Sequence, residues 1–148
     1  MIQTEQIHQL FEELGPASDD VAGVAQTGDN SWAVAYDDDT IVSFEFVAEQ
    51  DKLVLSIDLG AAEESRRLAV YSALLSYNFL WRETGGVKMA LGGDDLYQLF
   101  ELNAVGLTLT DLRNVLGNFV EKARAFRSFV AGETAAEVAF GAPPGLRI

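Results

Sequence analysis

The feature that most restricts the fold is a two-residue alternation that runs from Val21 to Leu59. In residues 32–36, for example, large apolar side chains alternate with alanines, and a period of two places the large ones on one face of a β-strand. Turn-rich segments at residues 27–30, 37–39 and 49–51 interrupt the run. The pattern predicts an antiparallel meander of three or four strands with one apolar face.

Helical spacing predicts one helix before the meander and a long one near the end of the chain. In the first, apolar residues recur at i, i+3, i+4 and i+7 between a capping Thr4 and a stop at Gly15-Pro16. In the last, Thr108 or Thr110 is the expected N-cap and Gly132 the expected stop. Both helices carry an apolar stripe that can pack on the sheet.

A central helix is predicted over residues 63–82, with Gly85-Gly86 as its stop. It is apolar on two faces, one with Leu68, Tyr71, Leu75 and Phe79 and the other with Val70, Leu74, Tyr77 and Trp81. The sheet can cover one face, so the second face needs another helix of the chain or a second subunit. This helix is the main sequence indication of a dimer.

Residues 87–91 and 96–102 alternate again around a Gly-Gly-Asp-Asp turn, which predicts a β-hairpin. The fold class is therefore α+β: a helix, a meander of three or four strands, a helix, a hairpin and a long C-terminal helix, with the helices packed on a twisted antiparallel sheet. At 148 residues, we expect a single domain over residues 1–132 and a flexible tail over 133–148.

The charge is strongly acidic and uneven, with thirteen acids and one base up to Gly60 but ten acids and nine bases after it. A net charge of −13 repels phosphate backbones and anionic lipids, which argues against nucleic-acid and membrane-surface partners. The absence of cysteine removes disulfides and thiolate chemistry and is compatible with a reducing compartment. With no signal-peptide pattern and no apolar run of membrane-spanning length, we expect a cytoplasmic protein without membrane insertion.

The sequence shows no catalytic centre and no cofactor or metal site. His8 is the one histidine, and a lone histidine on a helix is most often an ordinary surface or boundary residue. The glycine pairs at 85–86 and 92–93 lack the phosphate-loop spacing, and the aspartates at 37–39 lack the remaining ligands of a calcium loop. These residues are interpreted as turn and helix-stop positions.

The stretch from Leu75 to Leu102 resembles the class I type III secretion chaperones, the Tir chaperone (CesT) family. It contains Asn78-Phe79-Leu80-Trp81 and Gly85-Gly86, followed by two apolar strands before a long helix. In that family the central helix commonly ends with an asparagine, an aromatic residue and a Gly-Gly pair. The order of elements matches over nearly the whole chain, up to about Gly132.

The resemblance implies a non-catalytic, ATP-independent homodimer that binds the N-terminal region of a secreted effector and keeps it soluble and competent for export. By position, it implies dimer contacts at Tyr71, Leu74, Leu75, Asn78, Phe79, Val87, Met89 and Leu91. It also implies effector contacts on the first helix and the meander, for which the candidates are Ile7, Phe11, Leu14, Trp32, Val34, Tyr36, Phe44 and Phe46. A neutral or basic cargo segment would suit the acidic surface.

Two other functions stay open on the sequence alone. One is a regulatory or sensory module of the same fold that binds a folded partner. The other is a small enzyme with a carboxylate pair in a cleft, which the shortage of histidine, cysteine and motif glycines disfavours. A dimer formed through a sheet edge, instead of the central helix, is also open.

Overall fold

The computed structural model describes residues 3–135. Its order of elements is the predicted one: a helix, four strands, a helix, two strands and a long helix. The bounds are α1 Thr4–Ala17, β1 Val21–Gly28, β2 Ser31–Tyr36, β3 Ile41–Val47, β4 Lys52–Gly60, α2 Arg67–Phe79, β5 Lys88–Gly92, β6 Asp95–Asn103 and α3 Leu109–Val130. Single turns of 3₁₀-helix occupy Ala48–Gln50 and Glu64–Arg66. The α+β class is confirmed, and the meander has four strands.

The six strands form one sheet in the order β1-β2-β3-β4-β6-β5, so β1 and β5 are its two edges. The alternation has the predicted outcome in β2, β3 and β4, where every second residue is buried. In β2 the buried positions are Trp32, Val34 and Tyr36, and Trp32 lies opposite Phe44 of β3. One face of these strands therefore carries the large apolar side chains, while the other carries smaller and polar ones.

Both ends of α1 differ from the sequence prediction. Pro16 lies inside α1, which continues to Ala17, because a proline in the last turn keeps a helical φ and removes a single hydrogen bond. Thr4 is the first helical residue and Gln3 is the N-cap, with Gln3 N donating to Gln6 Oε1 at 2.8 Å.

The central helix is shorter than predicted at both ends. It begins at Arg67 instead of residue 63, after the 3₁₀ turn Glu64–Arg66, and ends at Phe79 instead of residue 82. Beyond it the chain runs through successive turns, with Leu80 N bonded to Tyr77 O and Glu83 N to Leu80 O. Gly85 and Gly86 end these turns with φ of +67° and +93°. The glycine pair thus stops a turn region, because the helix has already ended at Phe79.

The ends of α3 agree with the sequence. Thr108 is the capping residue, since its Oγ1 accepts from Asp111 N at 3.1 Å and its own N donates to Asp111 Oδ2 at 3.3 Å. At the other end Gly132 has a φ of +84°, where a side chain would be strained. Arg66 donates to Val130 O at 2.9 Å and Phe129 O at 3.0 Å, so it satisfies two of the last carbonyls of the helix.

The chain forms two compact units. The first consists of the chain up to Ile57 with Glu101–Val120, and its core includes Phe11 of α1 stacked on Trp32 at a ring distance of 4.9 Å. The second consists of Asp58–Phe100 with the chain from Glu121 on, and its core includes Tyr77 packed edge-on against Phe126. The single domain over 1–132 stays a prediction, and most of the predicted tail, 133–148, lies outside the described residues.

Candidate protein-binding surfaces

The central helix α2 presents an exposed apolar face. Leu68, Leu75 and Phe79 share this face and are 82%, 68% and 66% exposed. The opposite face is buried through Val70, Leu74 and Tyr77. Soluble monomers seldom leave such a row of large apolar side chains in water, so this face is a candidate contact surface for another protein.

A groove of ≈ 170 Å³ runs between α2 and the hairpin. Its shape depends on Asn78, whose Nδ2 donates to Met89 O and whose Oδ1 accepts from Met89 N, both at 2.8 Å. Since β5 is an edge strand, these bonds occupy the outward backbone groups of Met89 as a neighbouring strand would. The groove is lined by Tyr71, Leu74, Leu75, Asn78, Met89, Ala90, Leu91 and Leu96.

This groove is lined by six of the eight residues that were predicted to form the dimer contact. The other two, Phe79 and Val87, do not line it. Phe79 lies on the exposed face of α2 and Val87 is buried. Leu68 and Trp81, each exposed, were absent from the predicted contact set. Leu68 could have been found, because it shares its helical face with Leu75 and Phe79. Helical spacing grouped Trp81 with the face of Val70, Leu74 and Tyr77, and this was wrong, because the helix ends at Phe79 and Trp81 is exposed.

The eight residues predicted to contact an effector are all buried, none more than 5% exposed. They are Ile7, Phe11, Leu14, Trp32, Val34, Tyr36, Phe44 and Phe46. The structure brings several of them together, since Phe11 stacks on Trp32 and meets Phe44 edge-on at 4.8 Å. Although buried, Phe11 and Trp32 line one surface groove, Ile7 lines a second and Tyr36 lines a third. An effector role for the eight residues stays a prediction.

Two of the grooves on the surface next to these residues flank α1, one on each side. One has a volume of ≈ 250 Å³ and lies between α1 and β1. The other has a volume of ≈ 400 Å³ and lies between α1 and the turn at residues 104–107. Both are open to solvent, and each places half-exposed or exposed side chains of α1 beside apolar groups. These grooves are the candidate sites for an extended segment.

Sequence reasoning missed two polar residues of the first groove, His8 and Glu12. Trp32 Nε1 donates to His8 Nδ1 at 3.2 Å, and His8 Nε2 lies 3.1 Å from Glu12 Oε1. The four-residue spacing of His8 and Glu12 predicts that they meet on a helix. The bond to Trp32 crosses 24 residues of sequence and has no local signal.

Within residues 3–135 no three acidic or histidine side chains are grouped to hold a metal ion, and no helix there is long and apolar enough to cross a bilayer. One carboxyl pair is close: the hydrogen bond that protonated Asp95 donates to Asp58, and repulsion by the Asp58 charge, raise the pKa of Asp95 above its ordinary 3.8. The pair lies on the surface where β4 ends and β6 begins.

The described residues thus offer three candidate surfaces for another polypeptide: an exposed apolar helix face, the groove beside the hairpin, and the grooves along α1. The model of the Tir chaperone protein (CesT) family matches residues 6–127. The chain belongs to the CesT family. Among curated proteins, none matches this CesT-family chain.

Solved structures share its fold. The ExsC–ExsE complex has a TM-score of 0.69 at 17% identity, covering 90% of this chain and 100% of that one. The HopA1–SchA chaperone–effector complex has a TM-score of 0.65 at 10% identity, covering 86% and 99%. The Yersinia pestis type III secretion chaperone SycH, solved with a fragment of YscM2, has a TM-score of 0.54 at 20% identity, covering 80% and 97%. At these identities the likeness establishes the fold of the CesT-family chain.

Proposed function

We propose that this protein is a type III secretion chaperone that works as a homodimer in the bacterial cytoplasm. It binds the N-terminal region of an effector, keeps that region extended and soluble, and delivers it for export without ATP and without catalysis. Membership of the CesT family carries the proposal. The structural relatives named for a chaperone–effector complex and a type III secretion chaperone support it.

The exposed face of α2 supports the homodimer. Leu68, Leu75 and Phe79 form a continuous apolar row, and the groove beside them is lined mostly by apolar side chains. A two-fold axis would place this face against the same face of a second copy, so each chain would bury its own apolar row. We favour this contact over pairing through β5, because Asn78 already bonds the outward N–H and C=O of Met89.

The two grooves along α1 support binding of an extended segment. They flank one helix at ≈ 250 and ≈ 400 Å³, which suits single side chains of an unfolded polypeptide better than a folded surface. Of the residues predicted as effector contacts, Phe11 and Trp32 line the first groove and Ile7 lines the second, so these three would touch the segment directly. A charge of −13 keeps a chaperone with exposed apolar surface soluble and attracts a basic segment.

The test is to isolate the tagged protein from the cell that encodes it, identify what accompanies it by mass spectrometry, and measure the mass of the complex by light scattering. We expect a dominant secreted protein, held through its N-terminal region, with two copies of this chain per complex. The complex should form equally well with and without ATP and magnesium. A monomeric chain, or one that accompanies only folded cytoplasmic proteins, would overturn the proposal.

A further inference from the structure

Three side chains are linked in a line across the groove between α1 and β1. Trp32 Nε1 donates to His8 Nδ1 at 3.2 Å, and an indole N–H can only donate. Nδ1 therefore carries no proton, and the one proton of a neutral imidazole lies on Nε2. From there it is donated to Glu12 Oε1, 3.1 Å away. The line runs from Trp32 through His8 to Glu12, and it fixes the position of the carboxylate.

A neutral imidazole orients Glu12 but does not cancel its charge. Among the described residues that line the groove on α1, β1 and β2, Glu12 and His8 are the titratable ones, and none is a lysine or an arginine. Gln26, on the β1 side, turns its Nε2 to Gly28 O at 2.9 Å. The groove thus holds an oriented carboxylate with no cation on its walls, and its chemical complement is a positive group.

The rest of the groove suits the stem of a long basic side chain. Its walls include Phe11, Pro16 and Val24, and its volume is ≈ 250 Å³. Apolar walls that lead to a carboxylate fit the aliphatic stem and planar guanidinium of arginine, which can pair with a carboxylate through two parallel hydrogen bonds.

The strand beside the groove is open to a neighbour. β1 is the first strand in the sheet order, and its residues, VAGVAQTG, include no charge and no proline. Natural edge strands are often protected by charges, prolines or bulges, and in β1 the only such features are two register shifts, between Val21 and Gly23 and between Gln26 and Gly28. The regular stretch from Gly23 to Gln26 is suited to pairing with an added strand. A segment paired with β1 would direct alternate side chains toward Val24, which is on the groove side.

We propose that the groove between α1 and β1 binds an arginine side chain of the effector's extended segment, with Glu12 as its partner and His8 as the residue that positions Glu12. The inference rests on the proposed chaperone function and names the chemistry that one of its grooves selects. The first two-fifths of the chain, with thirteen acids and one base up to Gly60, would draw such a segment to this edge.

The test uses two synthetic, end-capped nonapeptides of alternating valine and threonine with arginine or citrulline at the centre. Citrulline keeps the shape of arginine and removes its charge. Both are titrated by NMR into the full chain and into Glu12→Gln. The matched control is Glu13→Gln, which removes the same charge one residue away, on the flank that lines the other groove.

We expect the arginine peptide to bind the unmodified chain about three- to five-fold more tightly than the citrulline peptide, the upper part of the range for a solvent-accessible ion pair. Glu12→Gln should abolish this preference, and Glu13→Gln should keep it. His8→Phe, which removes the positioning bonds, should reduce the preference while the circular dichroism stays unchanged. Amides of β1 should become protected from hydrogen exchange in the complex.

Equal binding of the two peptides, absence of binding at millimolar concentration, or equal losses in the two glutamine variants would each overturn the inference. Failure of this inference can be distinguished from failure of the proposed chaperone function. A dimeric chain that carries an effector but shows no arginine preference refutes this inference alone. A chain without an effector refutes the chaperone proposal, whatever the peptides do.

Discussion

Replacing Leu75 by alanine should weaken the dimer while leaving the fold of each chain intact. Leu75 is 68% exposed on α2 and the buried face of that helix lies on the opposite side. The side chain therefore contributes little to the core of its own chain. In the proposed dimer it lies in the centre of the contact, between Leu68 and Phe79.

The magnitude follows from the exposed fraction. Full burial of a leucine side chain is worth about 1.5–3 kcal/mol, so burying the 68% that is exposed is worth about 1–2 kcal/mol in each chain. Two-fold symmetry doubles this to about 2–4 kcal/mol for the dimer. At about 1.4 kcal/mol per factor of ten, Leu75→Ala should raise the dimer Kd by roughly 30- to 700-fold.

Sedimentation equilibrium over a range of protein concentrations measures this constant directly. Val105→Ala is the matched control, because Val105 is similarly exposed at 61% but lies in the turn after β6, which is not part of the proposed contact. Urea unfolding of both variants, analysed with the concentration dependence of the dimer, reports the stability of the chain itself. An unchanged dimer constant in Leu75→Ala, or an equal rise in Val105→Ala, would show that α2 does not form the contact.

Three further variants test individual contacts. Asn78→Ala leaves the outward N–H and C=O of Met89 without their bonds of 2.8 Å, and urea unfolding should show that the free energy of unfolding falls by about 1–3 kcal/mol. The control Asn118→Ala, at an exposed position inside α3, should show no loss, because alanine has the higher helix propensity. Arg66→Ala frees the carbonyls of Val130 and Phe129, so hydrogen exchange should become faster at the C-terminal end of α3 but not at its N-terminal end. Asp95→Asn should stabilise the chain at pH 7 and have little effect at pH 3. The raised pKa of Asp95 means that its favourable contribution is present below its ordinary pKa and is lost as the pH rises through the raised value. Equal effects of Asp95→Asn at the two pH values would contradict this reasoning.

The strands and helices could be predicted because their signals are local. The alternation around Trp32 specifies a strand face, and the capping pair Thr108 and Asp111 specifies a helix start, through residues within a few positions of each other. The misplaced ends have local reasons too. The turn bonds after Phe79 compete with helix over a few residues, and residue spacing does not weigh that competition.

For the candidate site, the prediction of the dimer residues and the prediction of the effector residues had different outcomes. Six of the eight residues predicted for the dimer contact line one groove. This could be predicted because helical periodicity shows that α2 has a second apolar face, which its own sheet does not cover. The predicted effector set was placed in the core. A stripe such as Phe11 with Trp32 and Phe44 has the same pattern whether it lines a groove or fills an interior, and only the packing of α1 on the sheet distinguishes the two.

By itself the sequence determined the α+β class, the buried faces of β2 to β4, the second apolar face of α2 and the likeness to the CesT family. Each of these depends on side chains close together along the chain. The tertiary structure alone decided the sheet order, with β6 between β4 and β5, the closure of the β5 edge by Asn78, and the line from Trp32 through His8 to Glu12. These depend on which distant segments meet, and that is set by packing of the whole chain, for which no short stretch of sequence carries a signal.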